Sequence, residues 1–202
     1  QKELWTRLKV RALDATVDYI RSKYPEIFLI ADAKRGDIGN TAKMYAKAFF
    51  EEMDFDAVTI APYMGADSVT PFLEYKDKWA IVLALTSNAS AYQFQNAQKD
   101  GKPLYQAVME EMMEISTPDN MMFVVGATKA DKLQELRSFC PDNFFLVPGV
   151  GAQGGSAEEV IAHGSNDHGG LLINSSRGIL FADHTENYAK VAAEVAAKTA
   201  NL

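Results

Sequence analysis

Short apolar runs alternate along the chain with segments of helical periodicity. Apolar residues recur at helical spacing from Leu13 to Tyr24, and Pro25 ends that helix. Six apolar runs come after it, each followed by a helical segment. The runs predict strands at 27–31, 57–61, 80–85, 121–125, 144–147 and 171–173, and the helical segments include 42–53, 69–73, 104–115, 133–136, 160–161 and 188–195.

The apolar runs lack polar alternation, which is typical of parallel strands covered on both faces. Six strands, each followed by a helix, indicate an α/β fold with repeated βα units. Two architectures fit, a doubly wound open sheet and a (β/α)8 TIM barrel. Six units cannot close an eight-stranded barrel, so in a barrel we expect two further strands before Gln1. We see no linker and expect one domain over 1–202.

Composition and charge exclude several function classes. Apolar types make up 48% of the chain and charged types 23%, as in a globular protein with a core. The formal net charge of −7 argues against a nucleic-acid binder. Cys140 is the only cysteine, so no intrachain disulfide and no cysteine-based zinc site can form. No apolar run approaches the roughly 20 residues that span a bilayer. We expect a cytoplasmic protein.

A charged segment, Asp32-Ala33-Lys34-Arg35-Gly36-Asp37-Ile38-Gly39-Asn40-Thr41, directly follows the first predicted strand. Side chains two apart on a strand share a face, so Asp32 and Lys34 are predicted to point the same way. In a barrel that face is the inside, at the carboxyl end where active sites lie. Paired with Asp32 and Asp37, the Lys34 ammonium can stabilise a carbanion and then protonate it. The alternative is a solvated loop with one salt bridge, in which Thr41 is a helix N-cap.

Two further segments follow the last two predicted strands. Pro148-Gly149-Val150-Gly151-Ala152-Gln153-Gly154-Gly155 is rich in glycine, and Gln153 is its only long polar side chain; Asn174-Ser175-Ser176-Arg177-Gly178 comes after the final strand. Barrels frequently bind phosphate with the loops at these two places, and an arginine offers a charged fork for phosphate oxygens. Plain βα turns are the alternative. Thr86-Ser87-Asn88 either binds a polar ligand edge or caps the next turn.

Other chemistries find little support in the sequence. None of the three histidines, His163, His168 and His184, follows a predicted strand directly, so we do not predict a histidine-based metal site. The P-loop pattern and the nucleophile-elbow pattern are both absent from the sequence.

The charged segment resembles the signature of orotidine 5′-phosphate decarboxylases, most of all the second bacterial type. The segments at 148–155 and 174–178 are similar to the two phosphate-loop segments of that family, in the same order. Tyr63-Met64-Gly65 and Val124-Val125-Gly126-Ala127 also resemble it. The three main motifs together are specific, although Asp-x-Lys-x-x-Asp alone is shared with sister barrels.

The resemblance implies a role for each matched residue. Lys34 would protonate pyrimidine C6 after carbon dioxide leaves, and Asp32 would lie beside the substrate carboxylate. Asp37 and Thr41 would reach the ribose in the neighbouring subunit of a homodimer. The remaining matches would bind substrate: Ser87 the pyrimidine edge, and Gln153, Ser176, Arg177 and Gly178 the phosphate. The substrate would be orotidine 5′-monophosphate, the product uridine 5′-monophosphate, and no cofactor or metal would be needed.

Two alternatives stay open. A sister barrel, a sugar-phosphate decarboxylase or a hexulose-phosphate synthase, would use a similar motif with magnesium. A truncated barrel would bind a nucleotide without turnover, since the family also uses an aspartate and a lysine from the first two strands, which we expect to precede Gln1.

Overall fold

The computed structural model describes residues 2–126, 130–150 and 156–200. These residues fall into two compact units, one up to Ala80 and one from Ile81. The single domain expected from the sequence stays a prediction. Among the described residues, no helix combines the length and the apolar character that crossing a membrane requires.

The first unit is built around two parallel strands and three helices. Its elements are α1 (Lys2–Lys23), β1 (Ile30–Arg35), α2 (Gly39–Lys47), β2 (Ala57–Ile60) and α3 (Thr70–Leu73). A π-helical turn over Ala48–Glu52 extends α2, and short 3-10 turns lie at Pro62–Met64 and Ala66–Ser68. The buried core of this unit consists of apolar side chains that include Val17, Ala46, Phe50, Val58, Ile60 and Phe72.

The second unit continues the alternation of strands and helices. The elements are β3 (Trp79–Leu85), which starts at the end of the first unit, the hairpin β4 (Gln98–Lys99) and β5 (Lys102–Pro103), α4 (Leu104–Glu114), β6 (Met121–Val125), α5 (Ala130–Phe139), β7 (Phe145–Pro148), α6 (Ala157–Gly164), β8 (Leu171–Asn174), α7 (Arg177–Leu180) and α8 (Tyr188–Ala200). A 3-10 turn over Ala89–Gln93 follows β3. The sequence did not predict the hairpin.

Among the longer strands, β1 and β2 are neighbours in the first unit, and the strand order in the second unit is β3-β6-β7-β8. The registers of β1 with β2, of β6 with β7 and of β7 with β8 are parallel. Every residue of β2 and of β6 is buried, as the lack of polar alternation predicts for strands covered on both faces. The carboxyl ends of neighbouring parallel strands therefore lie side by side within each unit.

The first strand lies further along the chain than predicted. The sequence predicts it at 27–31, whereas β1 runs from Ile30 to Arg35. The Ile27 amide bonds back to the Tyr24 carbonyl at 3.1 Å, which closes a turn after the first helix. The Asp56 carboxylate accepts the Leu29 amide at 2.7 Å, so strand pairing begins only at Ile30. The charged residues from Asp32 to Arg35 consequently belong to the strand itself.

Candidate functional site

The structure brings Asp32 and Lys34 together at the carboxyl end of β1. The Lys34 ammonium donates a short hydrogen bond to Asp32 Oδ1, so the pairing predicted for these side chains is present. The Lys34 side chain is 52% exposed and that of Asp32 62%. An exposed ion pair contributes only about 0–1 kcal/mol to folding. Stabilisation of the fold therefore does not explain the pair.

The backbone that carries the pair is irregular. From Ala31 to Arg35 the strand β1 advances four residues, while its partner β2 advances only from Val58 to Ile60, so β1 bulges. Lys34 has φ of 47°, in the left-handed region that residues other than glycine seldom adopt. Bulges recur beside active sites, where they redirect a side chain. Here the predicted pair forms on a bulged backbone rather than on the regular strand from which the sequence predicted it.

Thr59 is a third member of this site that we did not predict from the sequence. It lies in the otherwise apolar strand β2 and is fully buried. Its hydroxyl accepts the backbone N–H of Lys34 at 2.9 Å and lies 3.0 Å from Asp32 Oδ1, to which it donates. In the sequence, Thr59 stands out only as a lone hydroxyl residue inside an apolar run. Since buried polar groups need hydrogen-bond partners, such a residue indicates that its hydroxyl is bonded.

Asp37, the predicted third charge, is held away from Lys34, while the ribose contact predicted for Asp37 and Thr41 stays a prediction. The Asp37 carboxylate accepts the Ile38 amide at 2.8 Å, and no ion pair joins Asp37 to Lys34 in the described part of the chain. Thr41 is exposed in the first turn of α2. The N-cap of that helix is Ile38, so the alternative in which Thr41 is the N-cap is wrong.

Gly36 allows the loop after β1 to pass close to the end of β2. A Cβ atom at Gly36 would lie 3.0 Å from the Ala61 carbonyl oxygen. The Ala61 amide donates to the Arg35 carbonyl at 2.7 Å, which extends the ladder by one bond beyond β2. The Arg35 guanidinium lies over the Tyr45 ring at 5.5 Å, so this cation is held against α2.

In the second unit, the two predicted phosphate segments begin next to each other. Pro148 at the end of β7 is opposite Asn174 at the end of β8. Ser176 donates to Asn174 Oδ1 at 3.1 Å, and the short helix α7 starts at Arg177. Arg177 is exposed, and within the described residues its guanidinium makes no ion pair. Gln153 lies outside the described residues, so its predicted role stays untested.

Ser87 follows β3 and lies against the end of β6. A Cβ atom at Gly126 would lie 2.8 Å from the Ser87 amide nitrogen, so only glycine permits this approach. The neighbours of Ser87 are engaged within the loop. Gln95 accepts the Thr86 amide and donates to the Thr86 hydroxyl, both at 2.8 Å, and Thr86 donates to Asn88 at 2.6 Å. These bonds order the loop, but Asn88, the N-cap of the following 3-10 turn, makes no side-chain cap hydrogen bond, so the capping interpretation is not confirmed.

Metal ligands are not grouped in the described ranges, where no three His, Cys, Asp or Glu residues are arranged to hold an ion. Asp32 and Lys34 can act on a substrate through charge and proton transfer. An ammonium fixed beside a carboxylate can stabilise negative charge that develops near it and can then deliver a proton.

Comparisons with known proteins place these features in a family context. A family model described as "Orotidine 5'-phosphate decarboxylase / HUMPS family" matches residues 7–192. A protein named orotidine 5′-phosphate decarboxylase from Phocaeicola vulgatus is 54% identical over 188 residues, which are 93% of this chain and 69% of that protein. Its counterpart from Christiangramia forsetii is 55% identical over 182 residues, covering 90% of this chain and 67% of that protein.

A solved structure supports the fold assignment. The structure of Leishmania donovani OMP decarboxylase aligns with a TM-score of 0.81 and 35% identity over 95% of this chain and 73% of that one. Together with the alternating strands and helices, this likeness confirms the prediction of a (β/α)8 barrel fold, of which this chain contributes six βα units. The doubly wound alternative is wrong.

Proposed function

Because this chain belongs to the orotidine 5′-phosphate decarboxylase family, we propose that it is a lyase that converts orotidine 5′-monophosphate to uridine 5′-monophosphate. This is the last step of de novo pyrimidine synthesis. The observation that carries the proposal is the Asp32–Lys34 pair at the carboxyl end of β1. Active sites of barrels lie at that end of the strands.

The chemistry requires what this pair provides. Loss of carbon dioxide leaves the electron pair of the broken bond on pyrimidine C6, where no ring carbonyl is placed to delocalise it. The Lys34 ammonium stabilises that charge and then transfers a proton to C6, and solvent restores the proton to the lysine. Asp32 pairs with the Lys34 ammonium and lies beside the carboxylate that departs. The reaction in this form needs no metal or organic cofactor.

The second unit supplies the groups for binding the nucleotide. Ser87 contacts the pyrimidine edge, while Gln153, Arg177 and the segment from Ser176 to Gly178 bind the phosphate. The exposed guanidinium of Arg177 and the adjacent starts of the two loops support this assignment. Binding energy from the phosphate, far from the reacting carbon, is then available to align the pyrimidine.

Catalysis requires a homodimer in this proposal. Asp37 and Thr41 reach the ribose in the site of the neighbouring subunit. Several large apolar side chains of the first unit are exposed, which supports a protein interface on that unit: Ile38, Met44, Tyr63 and Met64, with Tyr63 86% exposed. We place the enzyme in the cytoplasm, where the lone Cys140 stays reduced.

The first test is the loss of ultraviolet absorbance when the purified protein is mixed with orotidine 5′-monophosphate. We expect turnover that is unchanged by EDTA. In the Arg177→Ala variant, kcat/KM should fall about 100-fold through loss of charged phosphate contacts. Arg11→Ala is the matched control, since Arg11 is an exposed arginine on α1. Turnover only of a sugar phosphate, abolished by EDTA, would favour the magnesium-dependent sister enzymes.

Subunit complementation tests the dimer. Lys34→Ala and Asp37→Ala should each inactivate the protein alone. In a hybrid dimer one site carries both changes and the other carries neither, so an equal mixture should recover about a quarter of the wild-type activity. Recovery of nothing after verified subunit exchange would contradict the role of Asp37 across the interface.

A further inference from the structure

The bulged end of β1 depends on one buried hydroxyl of β2. Thr59 is fully buried between the apolar residues Val58 and Ile60. A hydroxyl has one proton to donate and can accept hydrogen bonds as well. The Thr59 hydroxyl both accepts from and donates to the Asp32–Lys34 segment of β1, and not to its own strand, β2.

The accepted hydrogen bond fixes the backbone of Lys34. Its N–H lies 2.9 Å from Thr59 Oγ1 because the bulge takes this residue out of the regular ladder. With φ of 47°, Lys34 is in a conformation that the chain does not adopt without support. The Thr59 hydroxyl supplies a partner for this amide in that conformation.

The donated hydrogen bond orients the carboxylate. Thr59 Oγ1 lies 3.0 Å from Asp32 Oδ1 and 3.4 Å from the Ala31 carbonyl oxygen, so the carboxylate is the nearer acceptor. The same oxygen of Asp32 receives the Lys34 ammonium. One hydroxyl thus contacts the main chain of the lysine and the side chain of its partner.

We propose that Thr59 is a positioning residue for the proton-donating lysine and its carboxylate. The proposal rests on the function proposed above and adds to it a residue that touches no substrate. It holds Lys34 and Asp32 in the geometry that the transition state needs, and misplacement of such groups lowers the rate more than the substrate affinity.

Four variants and two readouts test the proposal. Thr59→Val removes the hydroxyl at similar volume, and Thr59→Ser keeps the hydroxyl while removing a methyl group. Ile60→Val is the control, since Ile60 is equally buried on the same strand but apolar. Thr59→Cys, whose thiol is a weak donor and acceptor, replaces the valine variant if that variant does not fold. The readouts are kcat with KM, and hydrogen exchange at the Lys34 amide.

We expect kcat of Thr59→Val to fall about 10-fold or more while KM stays within about 3-fold. Thr59→Ser should recover most of the rate, and Ile60→Val should match the wild type. Unchanged kcat in Thr59→Val, or equal loss in the serine variant, would overturn the proposal.

Hydrogen exchange separates this proposal from the proposed function. If the wild-type protein does not decarboxylate the nucleotide, the proposed function fails, and exchange alone decides the role of Thr59. Faster exchange at the Lys34 amide in Thr59→Val but not in Ile60→Val supports positioning. Equal exchange in both variants overturns it.

Discussion

Two cations of this chain, Lys34 and Arg137, are held in contrasting ways. Lys34 is half exposed and pairs with a single carboxylate. Arg137 is only 9% exposed and lies 4.0 Å from the centre of the Phe145 ring. Its guanidinium donates to five backbone carbonyls, those of Cys140, Pro141, Asn143, Gly164 and Gly170.

The difference shows which cation serves the fold. The carbonyls around Arg137 come from the segments before β7 and β8 and from the end of α6, so one side chain ties three segments together. Burial lowers the pKa of the Arg137 guanidinium, but carbonyl oxygens do not titrate and keep it engaged. The Lys34 ammonium is open to solvent and therefore available to a ligand. We expect the first region to control stability and the second to control activity.

Removal of the Lys34 amine should abolish most of the activity and leave the fold unaffected. In Lys34→Ala we expect kcat to fall by about 1000-fold or more, because both charge stabilisation and proton donation are lost. The free energy of unfolding in urea should change by less than about 1 kcal/mol, since the ion pair is exposed.

Two controls sharpen this prediction. Lys43→Ala removes another exposed lysine, on α2, and should leave kcat unchanged. Lys34→Arg keeps the positive charge, but a guanidinium gives up its proton far less readily than an ammonium. This variant should therefore be nearly inactive. A Lys34→Ala protein within 10-fold of wild-type kcat would show that the contrast between the regions is mistaken.

Removal of the Arg137 guanidinium should give the opposite result. Arg137→Met leaves buried carbonyls without their donor, and we expect the free energy of unfolding to fall by about 3 kcal/mol. Arg137→Lys keeps the charge with fewer donors and should lose about half as much. Activity per folded molecule should stay within about 3-fold of wild type. Unchanged urea midpoints for both variants would contradict the structural role.

The two regions were not equally accessible from the sequence. Asp32 and Lys34 were predicted because charges after an apolar run are unusual, and their spacing fits a shared strand face. Thr59 was not predicted, because its role depends on a bulge that no residue pattern in the sequence indicates. Arg137 was not predicted either, since a lone arginine on a helix is normally a solvated residue and its carbonyl partners are distant in the chain.

The fold was more predictable than the details of its strand ends. Wholly apolar runs such as β2 and β6 identified parallel strands directly. The first strand was placed three residues too early, because an apolar run does not distinguish a strand from the turn that leads into it. The start of the strand depends on the hydrogen-bond partners of the backbone, such as the Asp56 carboxylate that accepts the Leu29 amide.

The Arg137 region should also carry a pH dependence of stability. Burial raises the pKa of the Cys140 thiol to about 11, against an ordinary value near 9. The native state then holds its proton more tightly than the unfolded state, so this stabilisation is full below pH 9 and is lost as the pH rises towards 11.

The comparison variant is Cys140→Ser, which keeps a donor for the Asn143 side chain. Between pH 8 and pH 11, we expect the wild type to lose about 2 kcal/mol more of unfolding free energy than this variant. Parallel curves for the two proteins would mean that the thiol does not titrate differently in the two states.

The smallest expected effect concerns α6, whose two ends are held differently. At its start, the Ser156 hydroxyl accepts the Glu159 amide at 3.2 Å, which caps the helix. At its end, the Gly164 carbonyl accepts from Arg137 at 2.8 Å. Ser156→Ala should lower the free energy of unfolding by about 1 kcal/mol. Ser165→Ala, which changes an exposed residue directly after the same helix, should alter it by less than about 0.5 kcal/mol.

Combining Ser156→Ala with Arg137→Lys tests whether the two ends act independently. Eight residues of helix separate them by about 12 Å, and sites so far apart usually contribute additively. We expect the double variant to lose the sum of the single losses within about 0.5 kcal/mol, measured by urea denaturation. A smaller combined loss would mean that α6 detaches as a unit once either end is released. Arg137 would then secure the helix only while its cap is intact.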